Sequence, residues 1–172
     1  MNVLFVIAQK DFRDEEYQIP RQIIEETGAK ISVASPQGGT CTGTLGATVE
    51  ADYMIDEVNE DDYNAIVVVG GSGSKKQLWN NNRLREIVSV INSKKGVVAG
   101  ICLSSVVLAK AGALDGRNAT VFETPETLEE LRNFGAEYLK KSVVADGNIV
   151  TASGPEAATE FGMKVVEKLA AA

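Results

Sequence analysis

Apolar residues fall along this chain in short, largely continuous runs, not in the strict alternation of a sheet with one wet face. Val3–Ile7, Lys30–Ala34, Ala65–Val69, Val97–Gly100, Ser142–Ala145 and Ile149–Thr151 are such runs, rich in β-branched residues. They predict strands covered on both faces, as in a parallel sheet. Between them the spacing turns helical. Tyr17, Ile19, Ile23 and Ile24 form an apolar stripe on a helix ending near Gly28, and Leu84, Ile87, Val88 and Ile91 form another before Lys94-Lys95-Gly96. Leu103–Ala111 is apolar all round and stops at Gly112, which predicts a buried helix with a glycine cap. Phe161, Val165, Val166 and Leu169 mark a C-terminal helix.

Strand–helix alternation over this length predicts a doubly wound α/β sandwich, a mostly parallel sheet with helices on both faces. Two segments depart from it. Thr40–Glu50 is rich in Thr and Gly and predicts a small hairpin off the main sheet. Asp146-Gly147-Asn148 joins two apolar runs with a turn sequence suited to positive φ, the mark of a second hairpin. No repeat and no Pro/Ser-rich linker divides the chain, so residues 1–172 read as one domain.

Composition narrows the functions. The formal charge is 17 − 24 = −7. A non-specific nucleic-acid binder needs a basic face to displace counterions from phosphates, and none is present. The apolar opening of the chain runs straight into Lys-Asp-Phe-Arg-Asp-Glu-Glu with no signal-peptide pattern, and no other run approaches a bilayer span. Two cysteines, Cys41 and Cys102, are too few for a disulfide framework and point to a reducing, cytoplasmic setting. The chain contains no histidine at all. That absence removes Ser-His-Asp triads, Cys-His dyads and imidazole zinc sites, and no metal or other cofactor is expected.

The remaining chemistry gathers in three loops. Val97–Ser105 (VVAGICLSS) runs from a buried strand through Cys102 into a helix, a junction that presents a side chain above the sheet on strained backbone. Amides at the helix start favour an anion, so the Cys102 thiol is expected to ionise more readily than a free one. The alternative is a small hydrophobe packed in a turn. Gly70-Gly71-Ser72-Gly73-Ser74 follows another strand and can aim N–H groups at negative charge, although it matches neither a phosphate-loop nor a dinucleotide fingerprint. Plain turn chemistry is the alternative there. Asp11–Glu16 holds five acids and bases after the first strand; one acid, Glu15 or Glu16, is expected to point inward toward the thiol. Arg13 offsets the charge of this cluster. Trp79 reads as a packing residue, Cys41 as a partly exposed thiol of minor role, and Glu123 as a candidate second cleft acid.

Taken together and in order, these segments resemble the ThiJ/PfpI superfamily, which spans a parkinsonism-associated deglycase branch and an intracellular protease branch. The resemblance is carried by residues 12–20 (FRDEEYQIP), 67–71 (VVVGG), 99–102 (AGIC), 114–117 (LDGR), 146–151 (DGNIVT) and 153–156 (SGPE). It implies a flavodoxin-like, class I glutamine-amidotransferase-like sandwich and a homodimer. It also resolves the choice of acid. The family's glutamate stands four residues before a proline, here Glu16 before Pro20, and would hydrogen-bond the reactive Cys102. Gly71, with Leu103 and the adjoining Gly70, would form the oxyanion-binding pocket. Where protease members carry a His directly after the cysteine, this chain has Leu103; where other members carry one after the Gly-Arg turn, it has Phe122. Hydrolase activity therefore does not transfer by resemblance.

The leading expectation is a redox-responsive, stress-related protein whose Cys102 is oxidised by peroxide to sulfinate, held by protonated Glu16 and the Gly71 amide. The alternative is a cysteine-dependent glyoxalase or deglycase acting on small dicarbonyls such as methylglyoxal. Peptidase activity ranks lower, because a leaving amine needs an acid to protonate it.

Overall fold

Runs of Val, Ile and Ala build the centre of the molecule because each strand buries both faces. In the computed structural model, which describes residues 1–172, the strands are β1 (Asn2–Val6), β2 (Lys10–Phe12), β3 (Lys30–Ser35), β4 (Gly39–Gly43), β5 (Thr48–Ala51), β6 (Tyr53–Met54), β7 (Ala65–Val68), β8 (Val97–Ile101), β9 (Asn118–Ala119), β10 (Glu137–Tyr138), β11 (Val143–Asp146) and β12 (Ile149–Ala152). The helices are α1 (Asp14–Glu25), α2 (Ser72–Gln77), α3 (Asn82–Ser93), α4 (Ser105–Lys110), α5 (Pro125–Asn133) and α6 (Ala158–Ala171). The central sheet has the order β11-β12-β8-β7-β1-β3-β6. All its neighbours are parallel except β11 and β12, which form the expected antiparallel hairpin.

Residue alternation splits the core into two layers. Val3 and Phe5 of β1 pack in the layer that holds Tyr17 and Ile24 of α1 and Phe161 and Val165 of α6. Leu4 and Val6 pack on the other side with Leu84 and Ile87 of α3 and Val107 and Leu108 of α4. Complete burial of each large aliphatic side chain contributes roughly 1.5–3 kcal/mol. Both faces of β1 and β7 are covered, which is why their sequences show no polar alternation. α1 and α6 approach closely where Gly162 meets Pro20; a Cβ on Gly162 would stand 3.0 Å from the Pro20 Cα.

Several elements lie outside the sequence expectation. The helix α5 carries only Thr127 and Leu131 buried, too narrow a stripe to stand out, and its start is marked instead by a capping box between Thr124 and Thr127 with Pro125 at the first position. α2 has six residues, less than periodicity can register. The Thr/Gly hairpin forms as β4–β5 and joins β2 in a separate small sheet. Within it Cys41 is fully buried, not partly exposed, because its side chain joins the core layer of α1 while its neighbours Thr40 and Thr42 face water.

Candidate active site

Parallel strands end on the same side, so the loops after β1, β7 and β8 meet there. Register makes the meeting close: Val6 pairs with Val68, and Val68 with Gly100. Cys102 follows β8 immediately and has φ 60°, a left-handed conformation rare for a side chain with a Cβ. Strain of this kind costs on the order of 1–3 kcal/mol and persists only where the surroundings enforce it.

Those surroundings are visible as hydrogen bonds. The Trp79 indole N–H donates to the Leu103 carbonyl at 2.9 Å. Ser104 Oγ donates to the Val69 carbonyl at 2.6 Å and meets Ser74 Oγ at 2.7 Å. Ser105 Oγ reaches back to the Gly100 carbonyl. The elbow is thereby tied to the Gly-rich loop on one side and to β8 on the other. Trp79 is buried, as a packing residue should be, but its N–H adds a positioning contact that sequence reading did not separate out.

Glu16 lies in the first turn of α1 and is 0% exposed. Pro20 has no amide hydrogen, so the Glu16 carbonyl lacks the donor that a helix ordinarily supplies four residues on. Neither carboxylate oxygen has a partner in full hydrogen-bonding geometry. The Cys102 thiol and the Gly70 amide nonetheless stand close enough to favour the charged form. Burial outweighs them and pushes Glu16 up to about 8. Gly70 is small of necessity. A Cβ there would land on Glu16 Oε1, 2.5 Å from the Ile101 carbonyl oxygen and 2.8 Å from Cys102 Cβ. Its carbonyl accepts from the Arg13 amide at 2.9 Å, locking the first loop to the second.

Cys102 is 8% exposed. The amides of Leu103 and Gly71 both favour its thiolate, the disposition expected from the turn. The net direction is nevertheless the reverse of that expectation. Burial first, and then the Glu16 charge, push the thiol up to about 12. The second cause operates only while Glu16 is ionised; with its proton on, the carboxyl becomes a hydrogen-bond donor instead of a repelling charge. Glu15 points away and is clamped by Arg13 through two contacts of 2.9 Å, so of the two acids Glu16 is the one turned inward.

A cleft of about 330 Å³ opens above the sulfur, lined by Arg13, Glu16, Gly71, Cys102 and Leu103 among others. Phe122, 47% exposed, forms part of its wall where the family resemblance suggested a histidine. Four lining residues were not singled out as site residues by the sequence: Thr44 from the β4–β5 hairpin, Ser72, Pro155 and Glu156. Glu123 is elsewhere. It lines a neighbouring cavity beyond Phe122 and stands 3.6 Å from the Lys140 ammonium. Thr44 is held by its amide, which donates to the Phe12 carbonyl at 2.9 Å, and beside it the carboxylate of Asp14, buried at the start of α1, accepts from the Leu45 and Ala47 amides at 2.9 and 2.8 Å. No helix of the protein is long and apolar enough to cross a membrane.

Known proteins resemble the chain over nearly its whole length. The chain is 50% identical over 167 residues to an uncharacterised protein of Methanocaldococcus jannaschii, covering 97% of this chain and 82% of that one. It is 34% identical over 155 residues to a deglycase of Pyrococcus horikoshii, covering 90% of this chain and 91% of the relative. The crystal structure of a ThiJ/PfpI domain protein from Brachyspira murdochii superposes with a TM-score of 0.94 at 33% identity, over 99% of this chain and 97% of that one. The model described as the DJ-1/PfpI family matches residues 1–168, and the chain belongs to that family.

Proposed function

We propose that the protein is a cysteine-dependent glyoxalase or deglycase acting on small dicarbonyls or on the adducts they form. One observation carries the reading: the Cys102 sulfur lies in the wall of a cleft, beside the buried Glu16 carboxyl and two main-chain amides. Addition of sulfur to an aldehyde moves charge onto oxygen and a proton off sulfur. In its ionised form the Glu16 carboxyl beside the thiol can take that proton within the step, so a standing population of thiolate is not required. Relatives named deglycases, at a third identity over nine-tenths of the chain, support the same reading.

The test is direct. Purified protein given methylglyoxal is expected to produce lactate, and Cys102→Ser to abolish it. A wild-type protein without turnover would exclude the reading.

Sulfinate formation is retained as a second reading, because the Leu103 and Gly71 amides and the Glu16 carboxyl that surround the sulfur would also receive sulfinate oxygens. It ranks below carbonyl chemistry since peroxide attacks preformed thiolate, and burial opposes that form here. Mass spectrometry after mild peroxide should find two added oxygens on Cys102 and none on the buried Cys41; an unmodified Cys102 rejects it.

A further inference from the structure

We propose that Glu156 is a second proton-transferring residue of the cleft, the group that moves the carbon-bound proton of a dicarbonyl substrate; the inference rests on the carbonyl reading above. Isomerising a 2-oxoaldehyde to a 2-hydroxy acid requires removing hydrogen from one carbon and delivering it to its neighbour. Among the residues lining the cleft, the ionisable side chains are Arg13, Glu16, Cys102 and Glu156. Arginine stays protonated, and Arg13 is further engaged by Glu15. Cys102 is the nucleophile. Glu16 is sealed from water and set against the sulfur, with no hydrogen-bonded route outward from either oxygen.

Glu156 differs on each count. It is exposed to solvent, so it can exchange protons with bulk water between turnovers. It takes part in no ion pair and no hydrogen bond through its carboxylate, so no cation holds it in reserve. Its carboxylate folds back over Gly154, where a Cβ would meet the two oxygens at 3.1 and 3.2 Å, and the residue lines both this cleft and the neighbouring cavity beyond Phe122. Glu123, a candidate second acid from sequence, does not line the Cys102 cleft and faces Lys140.

The chemistry balances without an external oxidant. The sulfur of Cys102 bonds to the aldehyde carbon while the carbonyl π pair moves to oxygen, which gains the thiol's proton. Glu156 takes the hydrogen of that carbon as a proton. The released pair forms an enediol, the ketone oxygen taking up a proton from water. Glu156 then returns its proton to the neighbouring carbon, the former aldehyde oxygen gives up its own to water, and a thioester results. One carbon is oxidised as the other is reduced. Water attacks the thioester, the C–S bond breaks, sulfur leaves with a proton, and the 2-hydroxy acid departs.

The experiment compares wild type, Cys102→Ser, Glu156→Gln, Glu156→Asp and Glu123→Gln with methylglyoxal as probe. Glu156→Gln should alkylate at Cys102 with iodoacetamide at the wild-type rate and still form the covalent adduct seen by mass spectrometry. Its lactate production should fall about 100-fold or more, with partial recovery in Glu156→Asp and no change in Glu123→Gln. Lactate production by Glu156→Gln within about threefold of wild type overturns the assignment while leaving the carbonyl reading intact. Absence of lactate from wild type itself, or an equally active Cys102→Ser, overturns both.

Discussion

Ser74 and Ser104 meet through their hydroxyl oxygens at 2.7 Å, both wholly shielded from water. Ser104 spends its hydrogen on the Val69 carbonyl, so Ser74 is the donor between them. Two segments thirty positions apart in sequence are thus joined directly. Ser104→Ala removes both contacts and leaves a buried Ser74 hydroxyl unpaired, at a cost of about 1–3 kcal/mol. Denaturant titration should show it less stable than Ser74→Ala, which removes only one. Equal loss in the two variants would mean the bond to Val69 contributes nothing.

The raised Glu16 carboxyl makes stability depend on pH with a definite sign. Because the folded state holds this proton more tightly than the unfolded chain, stability is fully present below about 4.5 and declines until about 8. Integrated to neutral pH, the decline amounts to roughly 3 kcal/mol. Urea titrations at pH 4.5 and pH 7 should show wild type losing about that much stability between the two and Glu16→Gln losing little of it. The elevated Cys102 thiol acts only above its ordinary value of 9.0, outside this window. Since ionised Glu16 holds the thiolate back, Glu16→Gln should also alkylate at Cys102 faster than wild type above about pH 8; identical profiles would separate the two groups functionally.

Gly70 admits no side chain. The Cβ of Gly70→Ala would strike a carboxylate, a backbone carbonyl and the nucleophile's own Cβ together. Overpacking of this kind typically costs about 1–3 kcal/mol. The variant is expected to displace Glu16 from Cys102 and shift the pH at which the thiol alkylates. Retention of the wild-type alkylation profile would show that the loop yields instead.

Asp14 holds the tip of the β4–β5 hairpin over the cleft through the Leu45 and Ala47 amides. Asp14→Ala should speed hydrogen exchange at those two amides selectively and reduce stability by about 1–3 kcal/mol. Leu45, 63% exposed, offers no packing that would replace the lost bonds. Unchanged exchange at both amides would assign the hairpin's position to strand pairing alone.

What local pattern could determine about this protein, it did. The two-faced burial of β1, β3, β7, β8 and β12 follows from runs such as Val3–Ile7 and Ala65–Val69, since a strand covered on both sides needs no polar alternation. The strand–Cys102–helix junction likewise carried its strained turn in its own residues. The zero count of histidine set the limits of the chemistry before any coordinates. Only the tertiary structure decided which acids line the cleft. Glu156 and Glu123 are equally plain as letters; once the chain folds both line the cavity beyond Phe122, and of the two only Glu156 also reaches the wall of the Cys102 cleft. The direction of the Cys102 shift belonged to the same class. A helix-start amide acts over a turn and is legible locally, whereas desolvation is summed over everything packed around the sulfur and exists only after the chain has folded.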